Sequence, residues 1–220
     1  MVNYSQNQVR VRVAGNDLFC DSAAMSYGAD IIPNYTINSK NADEYYASGP
    51  PRGSLKISYF LTGSDPISNR IHDEQTPTSI NFNSLTVSSG YMSNYSLSLS
   101  PHGSIKASVV FDFYEKVAGT FATSQQSLSD TRPLNASDLS LENGSTVLSD
   151  NILNLSYTYQ TTFSPIYIIE ENFSSEGVKV QGVSSNQKKV SASFSLYDYD
   201  LSLPVSGQRE SFKINLKDKN

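Results

Sequence analysis

The chain contains no tryptophan, one cysteine and two histidines, and only 17% of its 220 residues are charged. The single cysteine, Cys20, cannot close an intrachain disulfide and leaves no cysteine-based metal site. Its expected place is that of a small half-buried residue behind Leu18 and Phe19. Low charge together with 14 tyrosines and 10 phenylalanines excludes classical disorder, which needs high net charge and few aromatics. No apolar run approaches the ~20 residues of a membrane-spanning helix, so no membrane partner is expected. A basic stripe is missing too: the net charge is −5, and Lys188-Lys189 is the longest cationic run before Lys217 and Lys219. Proteins that grip phosphates show the opposite pattern, so DNA is expected only as non-specific passing cargo. The opening Met1-Val2-Asn3-Tyr4-Ser5-Gln6 lacks the basic and apolar segments of a signal peptide. The sequons at Asn34, Asn94, Asn135, Asn143, Asn154 and Asn172 are therefore read as a by-product of abundant serine.

What remains is serine alternating with Val, Leu, Tyr and Phe, the pattern of strands with one buried and one wet face. Val9, Val11 and Val13 alternate with Gln8, Arg10 and Arg12. The same period runs through Ile105, Ala107, Val109, Phe111 and Phe113, through Val190, Ala192, Phe194 and Leu196, and through Phe212, Ile214 and Leu216. No stretch of about a dozen residues sustains a helical period; Asn41–Ala47 and Ser137–Glu142 are the best short helix candidates. Turn chemistry marks Gly49-Pro50-Pro51-Arg52-Gly53, Gly63-Ser64-Asp65-Pro66, Pro101-His102-Gly103 and Asn143-Gly144. Ser68–Pro77 reads as a long loop.

A repeat runs through this pattern. Tyr27, Pro33, Tyr35 and Ile37 recur with identical spacing as Tyr159, Pro165, Tyr167 and Ile169. Each set then meets a matching return strand, Leu55-Lys56-Ile57-Ser58-Tyr59 or Val190-Ser191-Ala192-Ser193-Phe194. A third unit pairs Tyr95 and Pro101 with Gly103-Ser104-Ile105-Lys106-Ala107-Ser108, an echo of Gly53-Ser54-Leu55-Lys56-Ile57-Ser58. A fourth joins Tyr199–Pro204 to Ser211-Phe212-Lys213-Ile214. The unit is a strand ending at a proline, which cannot donate to a ladder, followed by a return strand facing one core. The expected fold is all-β, an antiparallel sandwich or barrel with internal duplication. Residues 1–121 form a first β unit of two hairpin repeats, 122–150 a Ser-rich linker or long loop, and 151–220 a second β unit.

Reactive constellations are weak. His72-Asp73-Glu74 lacks ligand spacing across one face and reads as a solvated loop, and His102 belongs to a hairpin turn. Ser185-Asn186-Gln187-Lys188 matches a bare Ser-x-x-Lys pattern without its partner motifs. Asp198 and Asp200 fall on one strand face and are candidate paired carboxylates, with solvated acids that discourage unwanted edge pairing the plainer reading. Tyr45-Tyr46 and the Tyr197/Tyr199 pair are candidate sugar-stacking platforms, with sheet packing the plainer reading. No nucleophile elbow, P-loop, dinucleotide fingerprint or His-Glu-x-x-His occurs. No catalytic, cofactor-binding or metal-binding residue is assigned, no cofactor is implied, and the chain is not expected to be an enzyme.

At Gly49–Phe60 and at Ser89–Pro101 the chain resembles virion structural proteins of tailed bacteriophages, in particular tail-tube-like proteins of large contractile-tailed phages. The likeness covers residues 5–115 in pattern and 150–216 through the repeat. It implies a β-barrel or sandwich whose copies join sheet edge to sheet edge into rings, with long loops bridging stacked rings. In that family tandem duplication of the tube unit occurs in hub-type proteins; the duplication and the Ser-rich 122–150 segment depart from the plainest tube subunit. The implied partners are copies of the chain itself and other virion structural proteins, with assembly in the host cytoplasm into the virion. Strands at Val9–Val13 and Phe212–Leu216 are expected to supply the edges, and loops 38–53 and 170–188 the contacts between subunits. An acidic, Ser-rich wall is expected along the DNA passage. The alternatives are an adhesin or carbohydrate-binding β-sandwich using exposed tyrosines, and a capsid decoration protein.

Overall fold

A computed structural model describes residues 2–7, 10–29, 31–35, 44–47, 50–73, 76–100, 103–122, 132–143, 146–149, 152–169, 178–196 and 212–216. Among these the alternating segments form strands throughout. They are β1 (Val2–Asn7), β2 (Arg10–Val13), β3 (Asn16–Gly28), β4 (Ile31–Asn34), β5 (Glu44–Ala47), β6 (Arg52–Phe60), β7 (Thr78–Phe82) and β8 (Leu85–Leu99). There follow β9 (Lys106–Phe113), β10 (Leu139–Asn143), β11 (Thr146–Ser149), β12 (Ile152–Gln160), β13 (Phe163–Ile169), β14 (Val178–Ser185), β15 (Lys189–Leu196) and β16 (Phe212–Leu216). Two short 3₁₀ turns, Ser68–His72 and Ala136–Asp138, are the helical elements among the described residues. The all-β, antiparallel expectation holds.

Nine strands share one sheet, and part of it closes on itself. Following hydrogen-bonded neighbours gives β8–β7–β2–β3–β6–β9 and then back to β8. Closure of this six-strand circuit removes its edges and wraps one core. Val11, Leu55, Ile57, Ile80, Phe82, Val87, Val109, Phe111 and Phe113 lie wholly buried inside it. Each such side chain contributes about 1.5–3 kcal/mol on burial. Tight turns set the registers: Ala14 and Gly15 between β2 and β3, and Asn83 between β7 and β8, take the positive φ angles that two-residue hairpins require.

Two antiparallel pairings on opposite sides of the circuit close it. Val11 pairs with Phe82 and Val13 with Ile80, symmetrically about Arg12 opposite Asn81. Ile57 pairs with Val109 and Tyr59 with Ala107, symmetrically about Ser58 opposite Ser108. The second pair joins the strands of the two echoing segments Gly53–Ser58 and Gly103–Ser108. The Tyr27 and Tyr159 repeats share a plan. β3 and β6 pair around an inserted β4–β5 hairpin, and β12 and β15 pair around an inserted β13–β14 hairpin. Pro33 and Pro165 sit inside the outgoing strands of those hairpins rather than at the ends of β3 and β12. A two-stranded ribbon is all edge, so a missing N–H is tolerated there.

Several expectations change. Of the helix candidates, Glu44–Ala47 is a strand paired to β4, where the aromatic pair Tyr45-Tyr46 suits a ribbon; residues 41–43 lie outside the described residues. Ser137 and Asp138 occupy one capped 3₁₀ turn, and the chain then runs into β10. The 122–150 segment holds β10 and β11, and β12 pairs directly with β8 of the first 121 residues. Val11–Val13 is no edge, because β2 is paired on both sides. In the fourth unit Phe212–Leu216 pairs with β10, while Tyr199–Pro204 lies outside the described residues.

Leu55 and Val190 hold matching places in two repeats, yet Leu55 is 0% and Val190 57% exposed. In urea titrations Leu55→Ala should therefore cost about 2–5 kcal/mol of unfolding free energy. Val190→Ala should change the unassembled chain by no more than about 0.5 kcal/mol.

Candidate functional site

One outer face of the large sheet carries an unusual row. Ser22 pairs with Ser58, Ser58 with Ser108, Ser108 with Ser96, Ser96 with Thr158, and Thr158 with Ser191. Six adjacent strands thus place hydroxyl residues side by side in register, on the face opposite the core. Beside that row Lys106, Ser98, Ser156 and Ser193 are aligned, and on its other side Lys56, Val110, Asn94, Gln160 and Lys189. Lys106 is held by Asp21 at 2.6 Å and lies over the Phe60 ring. The face is serine-rich and its charge is mixed: Lys56, Lys106 and Lys189 stand with Asp21 and Asp112.

Because β3 and β12 run in the same direction, both inserted hairpins leave the sheet at one rim. Each carries large apolar side chains in water: Ile32 and Tyr35 on the first, Ile166, Tyr167 and Ile168 on the second. Tyr35 and Tyr167 among them are the Pro-x-Tyr repeat positions, displayed twice. At the base of the second hairpin Asn186 Nδ2 donates to Thr162 Oγ1 at 3.1 Å, which fixes how the arm leaves the sheet.

The opposite rim is plugged. Asp65, buried, accepts hydrogen bonds from the Tyr59 hydroxyl and the Ile67 amide, each at 2.9 Å, and from the Tyr95 hydroxyl. Ile67 is carried fully into the core by this turn. Burial, and next the Asp65 carboxylate, push the Tyr59 and Tyr95 phenols far above their ordinary value. Sequence reading saw Asp65 only as turn chemistry; two tyrosines separated from it in the chain determine that its carboxylate points inward.

Two grooves flank Asp112 at the arm-bearing rim. One, about 340 Å³, is lined by Arg52, Ser54, Tyr114, Phe163 and Tyr167, and the other, about 480 Å³, by Asn94, Gln160, Thr161, Gln187 and Lys189. Tyr91 lies 5.6 Å from Phe163 and 6.3 Å from Tyr114, ring centre to ring centre. Burial raises Asp112, and burial with Asp112 nearby lifts Tyr114 to about 12.

The residues singled out from sequence do not converge. Asp73 is exposed and engages Thr76 at 2.6 Å, whereas Glu74 and the His72 side chain lie outside the described residues, as does His102. Ser185 ends β14 and Lys188 is exposed. Asp198, Asp200, Tyr197, Tyr199 and the side chains of Tyr45 and Tyr46 also fall outside the described residues. Among the described residues no His, Cys, Asp or Glu cluster is arranged to hold a metal. Cys20 is buried in the barrel, and burial, reinforced by Asp21, raises its thiol to about 12. No protein-family model matches the chain, and no curated protein matches it.

Two measurements check this geometry. Asp65→Ala leaves three buried donors without their acceptor, each worth about 1–3 kcal/mol, so the melting temperature should fall sharply. Tyr59 and Tyr95 bind their protons more tightly folded than unfolded. The stability this confers is complete below the unfolded value of about 10 and is lost as pH rises beyond it. Spectrophotometric titration should accordingly show a phenol fraction that ionises only together with alkaline unfolding, and a Cys20 thiol that reacts only after denaturation.

Proposed function

We propose that this chain is a non-enzymatic structural subunit of a bacteriophage particle. It is a tail component, of tube, hub or completion type, that forms a ring around the DNA passage with copies of itself and meets other virion proteins. The hydroxyl row across six strands carries this reading. The row itself is short and neutral, and the charges beside it are mixed, so a polyanion meets neither a continuous basic stripe nor a dense acidic repulsion. DNA passes along such a surface without a grip. The paired arms fit the same picture, since exposed apolar residues on two hairpins at one rim are surface waiting for a protein partner. Stacked rings supply one. The assembly site is the host cytoplasm and the final location the virion.

A second reading has an observation of its own. The aromatic groove of Tyr114, Phe163 and Tyr167, adjoining the buried Thr161 whose Oγ1 has no hydrogen-bond partner among the described residues, suits a sugar ring. That would make the chain a carbohydrate-binding module.

Negative-stain microscopy of the purified protein separates the two. The tail reading expects rings or stacked tubes that form without ligand and retain little DNA at low salt. Removing residues 40–48 should stop assembly while leaving the large sheet folded by circular dichroism. A particle that stays single at every concentration and binds glycans would establish the second reading instead.

A further inference from the structure

Seven strands, β1–β3–β6–β9–β8–β12–β15, form one uninterrupted run of antiparallel neighbours. Its two ends are edges: among the described pairings β1 bonds only to β3, and β15 only to β12. Six reversals separate them, so β1 and β15 point the same way. β15 is exposed in a second respect. Its Val190-Ser191-Ala192-Ser193-Phe194 repeats the pattern that buries Leu55, Ile57 and Tyr59 on β6, and Ile105 with Ala107 and Val109 at β9. On β15 the matching Val190 and Ala192 lie in water and Phe194 is half-covered. A strand with a core-type face and an unpaired edge is the arrangement soluble proteins avoid unless something covers it.

We propose that β15 receives β1 of a second copy, head to tail and in parallel, joining successive seven-stranded sheets into one closed wall. This rests on the assembly reading above and names its contact. Like direction decides the geometry: rotation about an axis along the strands brings β15 of one copy beside β1 of the next without inverting either. Repeated around the axis, the contact pairs both ends of the seven-stranded run and closes a ring. Pairing β15 with β15 of a second copy would stop at a dimer and leave both β1 edges bare. The hydroxyl row also favours the head-to-tail contact, because it ends at Ser191 on β15 and begins at Ser22, whose partner on β1 is Asn7. Joined copies continue it from one sheet to the next.

The test uses the full chain. Val190→Glu with Ala192→Glu alters exposed positions, so the fold and melting temperature should persist while association in sedimentation velocity weakens at least about tenfold. Ser5→Cys and Ser191→Cys proteins, prepared separately and mixed, should be joined to each other by a short bifunctional thiol reagent, the native Cys20 being buried. Cross-linking of Ser191→Cys only to itself overturns the head-to-tail contact, as does unchanged association of the double glutamate variant. In those cases assembly of the unaltered protein still supports the ring reading. An unaltered protein that never associates removes both.

Discussion

The architecture depends on one long strand having one edge that serves two neighbours. β8 runs from Leu85 to Leu99, and β9 lies along one side of its later part, continued by the Thr86–Ala118 bridge. On its other side the first third pairs with β7 and the last third with β12. Pairing with β7 closes the barrel and gives the core its wall. Pairing with β12 lets the same sheet run on past the barrel to β15. A shorter β8 would permit only one of these. β3 repeats the device on the other flank, taking β2 along one part of its edge and β1 along the next, with a common register. A closed core and an extended sheet with two edges unpaired among the described residues therefore coexist in one chain.

Much of this was legible from period-two alternation. Ile105 through Phe113 were expected to face a core, and every alternate member does. The segments Gly53–Ser58 and Gly103–Ser108, alike in sequence, lead into two strands that pair with each other. What could not be read was pairing between distant segments. Alternation says that Val11 and Ile80 each need a buried face, but not that β2 and β7 share one ladder. For the same reason the edges were misplaced: nothing local in Arg10–Val13 reveals a second partner. Val190–Phe194 shows the converse. Its pattern is that of a core strand, and burial depends on whether a layer lies over it.

The candidate surface was legible in composition and hidden in arrangement. Abundant serine was plain from the letters, whereas a continuous row from Ser22 to Ser191 exists only once five registers are set together. The repeated Pro-x-Tyr motif pointed to something done twice, and the fold places both copies on arms at a single rim. Asp65 was concealed by its own neighbours. Gly63, Ser64 and Pro66 explain a turn so completely that they give no hint of a carboxylate held by tyrosines from two strands.

The joining of β2–β3–β6 to β7–β8–β9 in one chain has a consequence for divergence. Had the β2–β3–β6 module been a separate chain, it would have met an identical twin, and any change on one side would have appeared on both. Covalent linkage breaks that constraint. The first module carries a long arm between its paired strands, while the second joins β8 to β9 by a short connection and gives its spare edge to β12. Asymmetry of this kind is available to a fused pair and closed to a dimer of equals, and it is what gives the molecule a distinguishable top and bottom.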